Sequence, residues 1–324
     1  MDNAPMPELT KASETIPKCR SCGSERLVPI LDLGTTPLAD RLVNPDKANE
    51  PEPMFPLKVC FCEHCSLVQI TETVAPEILF ADAYPYYSSF LPALLKHSRD
   101  HVLARLADRD LDASSLVIEL ASNDGYLLKN YVEHGIPVLG IDPADGPAAA
   151  AEKVGVPTLC EFFSEALAER LAGEGKQADI IHGNNVLAHV ADTNGFVSGI
   201  AKLLKPTGLA VIEAPYLKPL IQHVEFDTIY HEHLCYFSVT ALDHLFRRHG
   251  LFLNHIEHLS IHGGSLRLFV ERTENPQDSV KTALAEEAEI GMTAAPYFDD
   301  FAERVETLKT DLRAMIHELK AAGK

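Results

Sequence analysis

Positive charge is scarce in this chain. Its 324 residues include 28 Lys and Arg against 47 Asp and Glu, a formal net charge of −19. That balance argues against a nucleic-acid partner, because affinity for phosphate backbones comes mainly from Lys and Arg. Long apolar runs are missing too. None approaches the roughly 18 residues needed to span a bilayer, so no membrane partner is expected. Residues 1–18 are polar, bear proline and mix both charges. Without an apolar h-region they do not read as a secretory signal, and the expected compartment is cytoplasmic. G-x-G-x-x-G is absent as well, which removes the usual means of bringing backbone close to a dinucleotide pyrophosphate. What remains is ordinary globular material, 46% hydrophobic and 23% charged, long enough for two or three domains.

Seven cysteines are present, four of them in two knuckles, Cys19-Arg-Ser-Cys22 and Cys62-Glu-His-Cys65. Paired C-x-x-C knuckles read as one tetrahedral four-thiolate zinc site. Four thiolates leave no open coordination position, so the expected zinc is structural, stapling a small loop-rich domain. Cys60 precedes the second knuckle in C-F-C-E-H-C and competes for the same place; the C-x-x-C spacing favours Cys62 and Cys65. Cys160 and Cys235 read as small apolar fillers.

From residue 115 the pattern changes to alternating strand and helix. Residues 116–120 form a short buried strand, followed by Ala121-Ser122-Asn123-Asp124-Gly125, a helical stretch over 126–134 and a second strand ending at Asp142. Strand, glycine turn, helix, strand, acid is the first half of a Rossmann-like unit, with the terminal acid placed for ribose hydroxyls. The turn carries an acid and amides, and no Lys or Arg to meet phosphate. A cationic, phosphate-free cofactor fits that better than NAD(P), and S-adenosylmethionine is such a cofactor. Further strands end at Asn184-Asn185, with His189 shortly after, and at Glu213 to Tyr216. Ligands of open α/β sheets bind outside the carboxyl ends of strands. The expected cofactor residues are therefore Glu119, Ser122, Asn123, Asp124, Gly125, Asp142, Asn184 and Asn185.

The densest group of titratable residues is F-D-T-I-Y-H-E-H-L-C-Y-F-S at residues 226–238. Such a cluster suits proton transfer, since histidine titrates near neutrality and a neighbouring carboxylate can set its tautomer. A pair of metal ligands at His231 and His233, which a strand would turn to one face, is the competing reading. Upstream, Tyr84-Pro85-Tyr86-Tyr87 is either a loop reaching the site or an aromatic anchor between domains. Downstream, His262-Gly263-Gly264-Ser265-Leu266-Arg267 reads either as a hairpin turn or as a close approach to a nucleotide, with Arg267 on a diphosphate. Phe298, Phe301, Val305, Leu308, Leu312 and Met315 follow helical spacing as a packing face.

In this fixed order, the four-cysteine module, E-L-A-S-N-D-G-Y-L-L, N-N-V-L-A-H-V-A-D, E-A-P-Y-L, the Tyr-His-Glu-His segment and H-G-G-S-L-R resemble the bacterial deoxysugar C-methyltransferases. These act at C-3 of nucleotide-linked 4-keto sugars. The resemblance covers about residues 17–272. It implies a Rossmann-like S-adenosylmethionine methyltransferase domain behind a small zinc domain, and a nucleotide-diphosphate sugar as substrate. It further implies His233 as the base, assisted by Glu232 and Tyr230. Beside that, Tyr230, His189 or a tyrosine of the segment that begins at Tyr84 is available to donate to the C-4 oxygen. Family members usually continue into another Rossmann-like domain where this chain stops. The expected division is a zinc-binding domain at 17–75, a helical and aromatic connector at 76–114, the methyltransferase domain at 115–275 and a helical segment at 276–324. A sugar O-methyltransferase and a metal-dependent sugar isomerase using His231 and His233 are the alternatives.

Overall fold

The computed structural model describes residues 12–79 and 86–324. Its N-terminal part is a small antiparallel sheet. β2 (Leu27–Thr36), β3 (Phe55–Cys62) and β4 (Val68–Ile70) pair in sequence order, while β1 (Ser13–Thr15) pairs separately with β5 (Glu72–Val74). The pairing of β1 starts this domain earlier than residue 17. A short α1 (Pro76–Leu79) follows, then α2 (Pro92–Asp108).

The central sheet has seven strands. β6 (Val117–Leu120), β7 (Val138–Ile141), β8 (Thr158–Leu159), β9 (Ala178–Asn184), β10 (Leu204–Pro215), β12 (Phe252–Leu259) and β13 (Ser265–Glu271) are arranged β12-β13-β10-β9-β6-β7-β8. The strands from β8 to β10 are mutually parallel, and β13 runs antiparallel between β10 and β12. Parallel strands are covered on both faces and read as continuous apolar runs, as β6 does in V-I-E-L, which is fully buried and apolar except at Glu119. The order reverses between β6 and β9, and the crevice at the carboxyl ends of these two strands is where such a sheet takes a ligand.

Helices α3 (Lys129–Val132), α4 (Asp145–Lys153), α5 (Glu165–Gly173) and α6 (Thr193–Leu203) connect the parallel strands, followed by α7 (Leu217–His223) and α8 (Val239–Arg248). Three of them start on side-chain caps. Ser164 accepts from the Leu167 amide at 3.2 Å, Asp192 from Gly195 at 2.9 Å and Ser238 from Ala241 at 3.0 Å. The helix expected over 126–134 shrinks to α3, because Tyr126, Leu127 and Leu128 form a buried turn ahead of it.

One strand joins the two halves. β11 (Cys235–Tyr236), from the Tyr-His-Glu-His segment, pairs antiparallel with β4 and becomes the fourth strand of the small sheet. Consistent with that union, Phe61, Leu67 and Ile70 share one apolar cluster with Ile118, Leu120 and Phe237.

The C-terminal segment, α9 (Asp278–Glu289) and α10 (Phe301–Ala321), is attached through Glu287. That carboxylate is fully buried and accepts from Tyr216 Oη at 2.9 Å and from the Val239 and Thr240 amides at 2.7 and 2.8 Å. A carboxylate at the first turn of α8 satisfies amides that have no partner within the helix. The expected packing face is half realised: Phe298, Phe301 and Val305 are buried, whereas Leu308, Leu312 and Met315 are exposed. Among the described residues no helix is long and apolar enough to cross a membrane.

Candidate active site

The four knuckle sulfurs of Cys19, Cys22, Cys62 and Cys65 lie within 4.8 Å of one another. Cys19 Sγ is 3.5 Å from Cys65 Sγ, and Cys22 Sγ is 3.5 Å from Cys62 Sγ. Thiolates at about 2.3 Å from a tetrahedral zinc would stand roughly 3.8 Å apart, so the donor set fits that ion. Cys60 is not in the group; at two residues before Cys62 it lies roughly 6.6 Å further along β3. The knuckles also rest on the central domain. Asn194 donates to the Arg20 and Ser21 carbonyls at 2.7 and 2.9 Å, and Arg248 donates to Ser21 Oγ at 2.5 Å.

A cleft of about 1060 Å³ opens at the carboxyl ends of the parallel strands. One end is bounded by Ala121, Asn123, Asp142, Asn184, Asn185 and Phe162. Ala121, Asn123 and Asn185 hold left-handed backbone there, at φ 56°, 48° and 52°. Strained non-glycine backbone of this kind persists where surrounding structure over-determines it, commonly at ligand sites. Asp142 does part of that fixing, since its two oxygens accept from the Asn123 amide at 2.8 Å and the Ala144 amide at 2.9 Å.

Four of the expected cofactor residues stand elsewhere. Glu119 is fully buried beneath the turn with neither carboxylate oxygen partnered. Burial, then the charges of Asp142, Asp124 and Glu213, hold it well above the usual carboxylate range. Ser122 is buried against β7, where a Cβ on Gly140 would stand 2.5 Å from its hydroxyl. Gly125, at φ 75°, turns the chain tightly against Val156. Asp124 accepts from the Ser89 amide at 3.2 Å. Asn123 likewise spends its amide group on the backbone of Ser88 and Tyr86, at 2.9 and 3.1 Å. The loop thus fastens the aromatic segment over the cleft. Tyr84 lies outside the described residues.

The other end of the cleft is lined by Tyr230, Glu232, His233, His189, His262 and Asp40. Residues 230–234 form a turn rather than a strand, so His231 and His233 diverge. His231 is buried with its Nε2 3.1 Å from the Pro56 carbonyl, while His233 faces the cleft. Among the described residues the four cysteines are the one group of three or more ligands able to hold a metal, and His231, turned to the Pro56 carbonyl, does not share the cleft wall with His233.

His233 Nδ1 is 2.8 Å from the Thr228 carbonyl, which fixes the proton on Nδ1 and leaves the Nε2 lone pair exposed to the Tyr230 hydroxyl at 3.2 Å. A backbone carbonyl, not Glu232, therefore sets the tautomer. Burial lowers the His233 pKa, partly offset by Thr228 and by the Asp40 charge. His189 meets it edge to face at 4.8 Å and is pushed down to about 3, first by burial and then by His233. Glu232 is pushed up to about 7, first by burial and then by Asp40. The site thus sets an imidazole lowered by burial beside a carboxyl raised by burial, groups suited to moving a proton near neutral pH.

Three family models match the chain in succession from residue 19. Residues 19–80 match a zinc binding domain, 88–256 a methyltransferase domain and 260–324 a C-methyltransferase C-terminal domain. The C-methyltransferase NovU of Streptomyces niveus is 32% identical over 312 residues, covering 95% of this chain and 74% of NovU. The chain belongs to the C-methyltransferases. It is an S-adenosylmethionine-dependent methyltransferase with a four-cysteine zinc domain. Ubiquinone biosynthesis O-methyltransferase of Bartonella tribocorum (strain CIP 105476 / IBS 506) is 33% identical, but over 97 residues only, 30% of this chain and 39% of that one. Among solved structures, the magnesium protoporphyrin IX methyltransferase of Synechocystis PCC 6803 overlays with a TM-score of 0.44 at 16% identity, covering 55% of this chain and 83% of that one.

Three residues of this C-methyltransferase, Arg267, Asp40 and Cys160, escape a reading of its sequence. Arg267 does not reach for phosphate. Its guanidinium binds Glu213 and Glu257, each at 2.8 Å, and approaches His97 Nε2 at 3.2 Å, while His97 also binds Glu213 at 2.9 Å. The H-G-G segment is the β12–β13 turn, with Gly263 against the Glu225 carboxylate and Gly264 against Pro219. Asp40, from the zinc domain, carries no local signal at all. Cys160, expected as an apolar filler, is exposed and bonded to Asp145 Oδ1 at 3.0 Å.

Proposed function

We propose that this C-methyltransferase methylates carbon next to a ketone in a nucleotide-diphosphate-linked 4-keto-deoxysugar, at C-3, with His233 as the base. The observation that carries this reading is the His233 imidazole, with Nδ1 spent on a carbonyl and Nε2 meeting only the Tyr230 hydroxyl in the same cleft as Asp142. A proton next to a ketone is about ten pKa units beyond a neutral imidazole, at about 1.4 kcal/mol each. The base therefore acts with a donor that steadies the enolate oxygen. Tyr230 fits that role, because its hydroxyl already sits beside Nε2 and turns to the substrate oxygen once the sugar enters. S-adenosylmethionine, when bound, supplies the electrophilic methyl group.

Asp142 keeps lone pairs for ribose hydroxyls after its two backbone bonds, and Phe162 offers an apolar face beside it. Asn184 and Asn185 complete the wall facing the reacting carbon. The described residues lining the cleft include no Lys or Arg. The sugar ring accordingly enters, and the diphosphate stays at or beyond the mouth.

The test is incubation with S-adenosylmethionine and a panel of nucleotide-linked 4-keto sugars, followed by NMR of the product. A methyl on C-3 upholds the reading. A methyl on oxygen, or no turnover with any such sugar, overturns it.

A further inference from the structure

Glu287 lies on α9 and is fully buried. Four donors meet its carboxylate. Tyr216 Oη and the Val239 amide reach Oε1 at 2.9 and 2.7 Å, while the Thr240 amide and hydroxyl reach Oε2 at 2.8 and 2.6 Å. None of the four is a cation. Attachment of α9 does not require this arrangement, because Val280 and Ala283 already pack in the apolar cluster that holds Phe237 and Leu242. A buried carboxylate is a costly way to add adhesion, since well-packed apolar groups often do as well or better. What four directional bonds add is placement.

The groups so placed belong to the two sides of the cleft. Tyr216 follows β10 at the carboxyl edge of the parallel strands and lines the cleft. Val239 and Thr240 open α8 directly behind the 230–238 segment. A β-bridge between Tyr216 and Phe237, with the Leu217 amide on the Phe237 carbonyl at 2.9 Å, brings the two backbones together. Glu287 closes that junction from behind, its Oε1 holding one donor from each side, so neither side shifts without losing a charge-assisted bond. Burial, then the Glu287 charge, push the Tyr216 phenol up, which keeps it the donor. The neighbouring Glu286–Lys218 pair, at 3.0 Å, is solvated on its acid side and supplies little.

We propose that Glu287 is a positioning residue for methyl transfer, fixing the 230–238 segment, and the acceptor seated on it, against the sheet edge that carries the methyl donor. This rests on the reading of that segment as the acceptor end with His233 as base. Base and acceptor stand together on one side of the junction, and the donor stands on the other. Loosening the junction therefore spares proton removal and costs methyl transfer, for which a misplacement of about 1 Å is worth about 10²-fold.

The experiment compares the full zinc-loaded chain with Glu287→Gln, whose amide nitrogen cannot accept, and with Tyr216→Phe, which removes one bond and keeps the ring. Methylation is measured at saturating S-adenosylmethionine and 4-keto sugar, and solvent-deuterium exchange at C-3 without methyl donor. Backbone hydrogen exchange across residues 234–242 is followed with S-adenosylhomocysteine bound, and thermal unfolding gives the folded fraction. Glu287→Gln lowers kcat for methylation by about 10²-fold at unchanged KM, leaves donor-free C-3 exchange as it was, and speeds backbone exchange at 234–242 alone. Tyr216→Phe moves kcat the same way, and the double variant is no worse than Glu287→Gln. Methylation and C-3 exchange falling together, or neither falling, overturns the proposal, as does unchanged backbone exchange at 234–242. Wild-type methylation with no donor-free exchange overturns the base reading alone, and a lower kcat at unchanged KM in Glu287→Gln then still upholds the positioning role. If the wild type methylates no 4-keto sugar, the proposed function falls, and the backbone exchange at 234–242 decides for or against the junction.

Discussion

The two ends of the cleft are built on different terms. The cofactor end is made from strand ends of a parallel sheet, and Asp142 ties neighbouring loops together through two backbone amides. The acceptor end is made from residues 230–238, mostly turn, with no regular element longer than the two residues of β11. That segment is held by its neighbours instead. The Ile70 amide donates to the Leu234 carbonyl at 3.1 Å, the Leu234 amide to Ala188 at 2.7 Å and the Leu217 amide to Phe237 at 2.9 Å. One end is therefore rigid by its own fold, and the other is rigid because the zinc domain lends it a sheet. A zinc site that looks like a remote staple becomes part of how His233 is positioned.

The largest expected effect follows from that contrast. Removing zinc with a chelator, or Cys62→Ser, releases β4 and with it β11, since structural zinc in small domains is worth about 10–16 kcal/mol of apparent binding energy. Turnover should vanish while S-adenosylhomocysteine still binds by calorimetry. Equal loss of both would mean that the two ends are not independently supported. Next comes His233→Asn, which should lower turnover by about 10² to 10⁴ with unchanged cofactor affinity. The mirror-image change is Asp142→Ala, expected to weaken cofactor binding by about tenfold, the scale of one charge-assisted hydrogen bond, and to spare proton exchange at the acceptor carbon. Asn123→Ala should be milder. It frees residues 86–88 and leaves left-handed backbone without its amide, costing about 1 kcal/mol in thermal or denaturant unfolding.

The smallest effect at neutral pH concerns stability. His101, His182 and His189 are all pushed below the ordinary histidine value by burial, the last two to about 3. The unfolded chain then binds protons near pH 6.5 that the folded chain refuses. Stability from these groups is complete above pH 6.5 and is lost as the pH falls from there toward 3. A melting temperature that holds constant down to pH 4 would show that these rings are protonated without penalty.

The strand framework around Asp142 was legible because its signals are local. Strand runs at residues 116–120 and 136–142 and the acid at Asp142 follow from short-range pattern, and the C-x-x-C spacing chose Cys62 over Cys60 correctly. What stayed hidden depends on contacts distant in sequence. Asp124 and Asn123 look like ligand groups until the 86–89 backbone is seen against them. Arg267 looks free for phosphate until β10 and β12 place Glu213 and Glu257 beside it. Strand alternation would put His231 and His233 on one face, but the segment turns at these residues, and only one imidazole enters the cleft. Asp40 is the extreme case, an acid in a plain turn after β2 that lines the same cleft as His233.

The central claim is that His233 removes a proton from carbon before the methyl group arrives. Its most direct test is the 4-keto sugar held with enzyme in deuterated water and no methyl donor, followed by proton NMR at C-3. The account predicts that the wild type washes out the C-3 signal and that His233→Asn, still binding cofactor normally, does so slower by about 10² or more. Equal exchange by the two proteins would contradict it and hand the base role to another residue of the cleft.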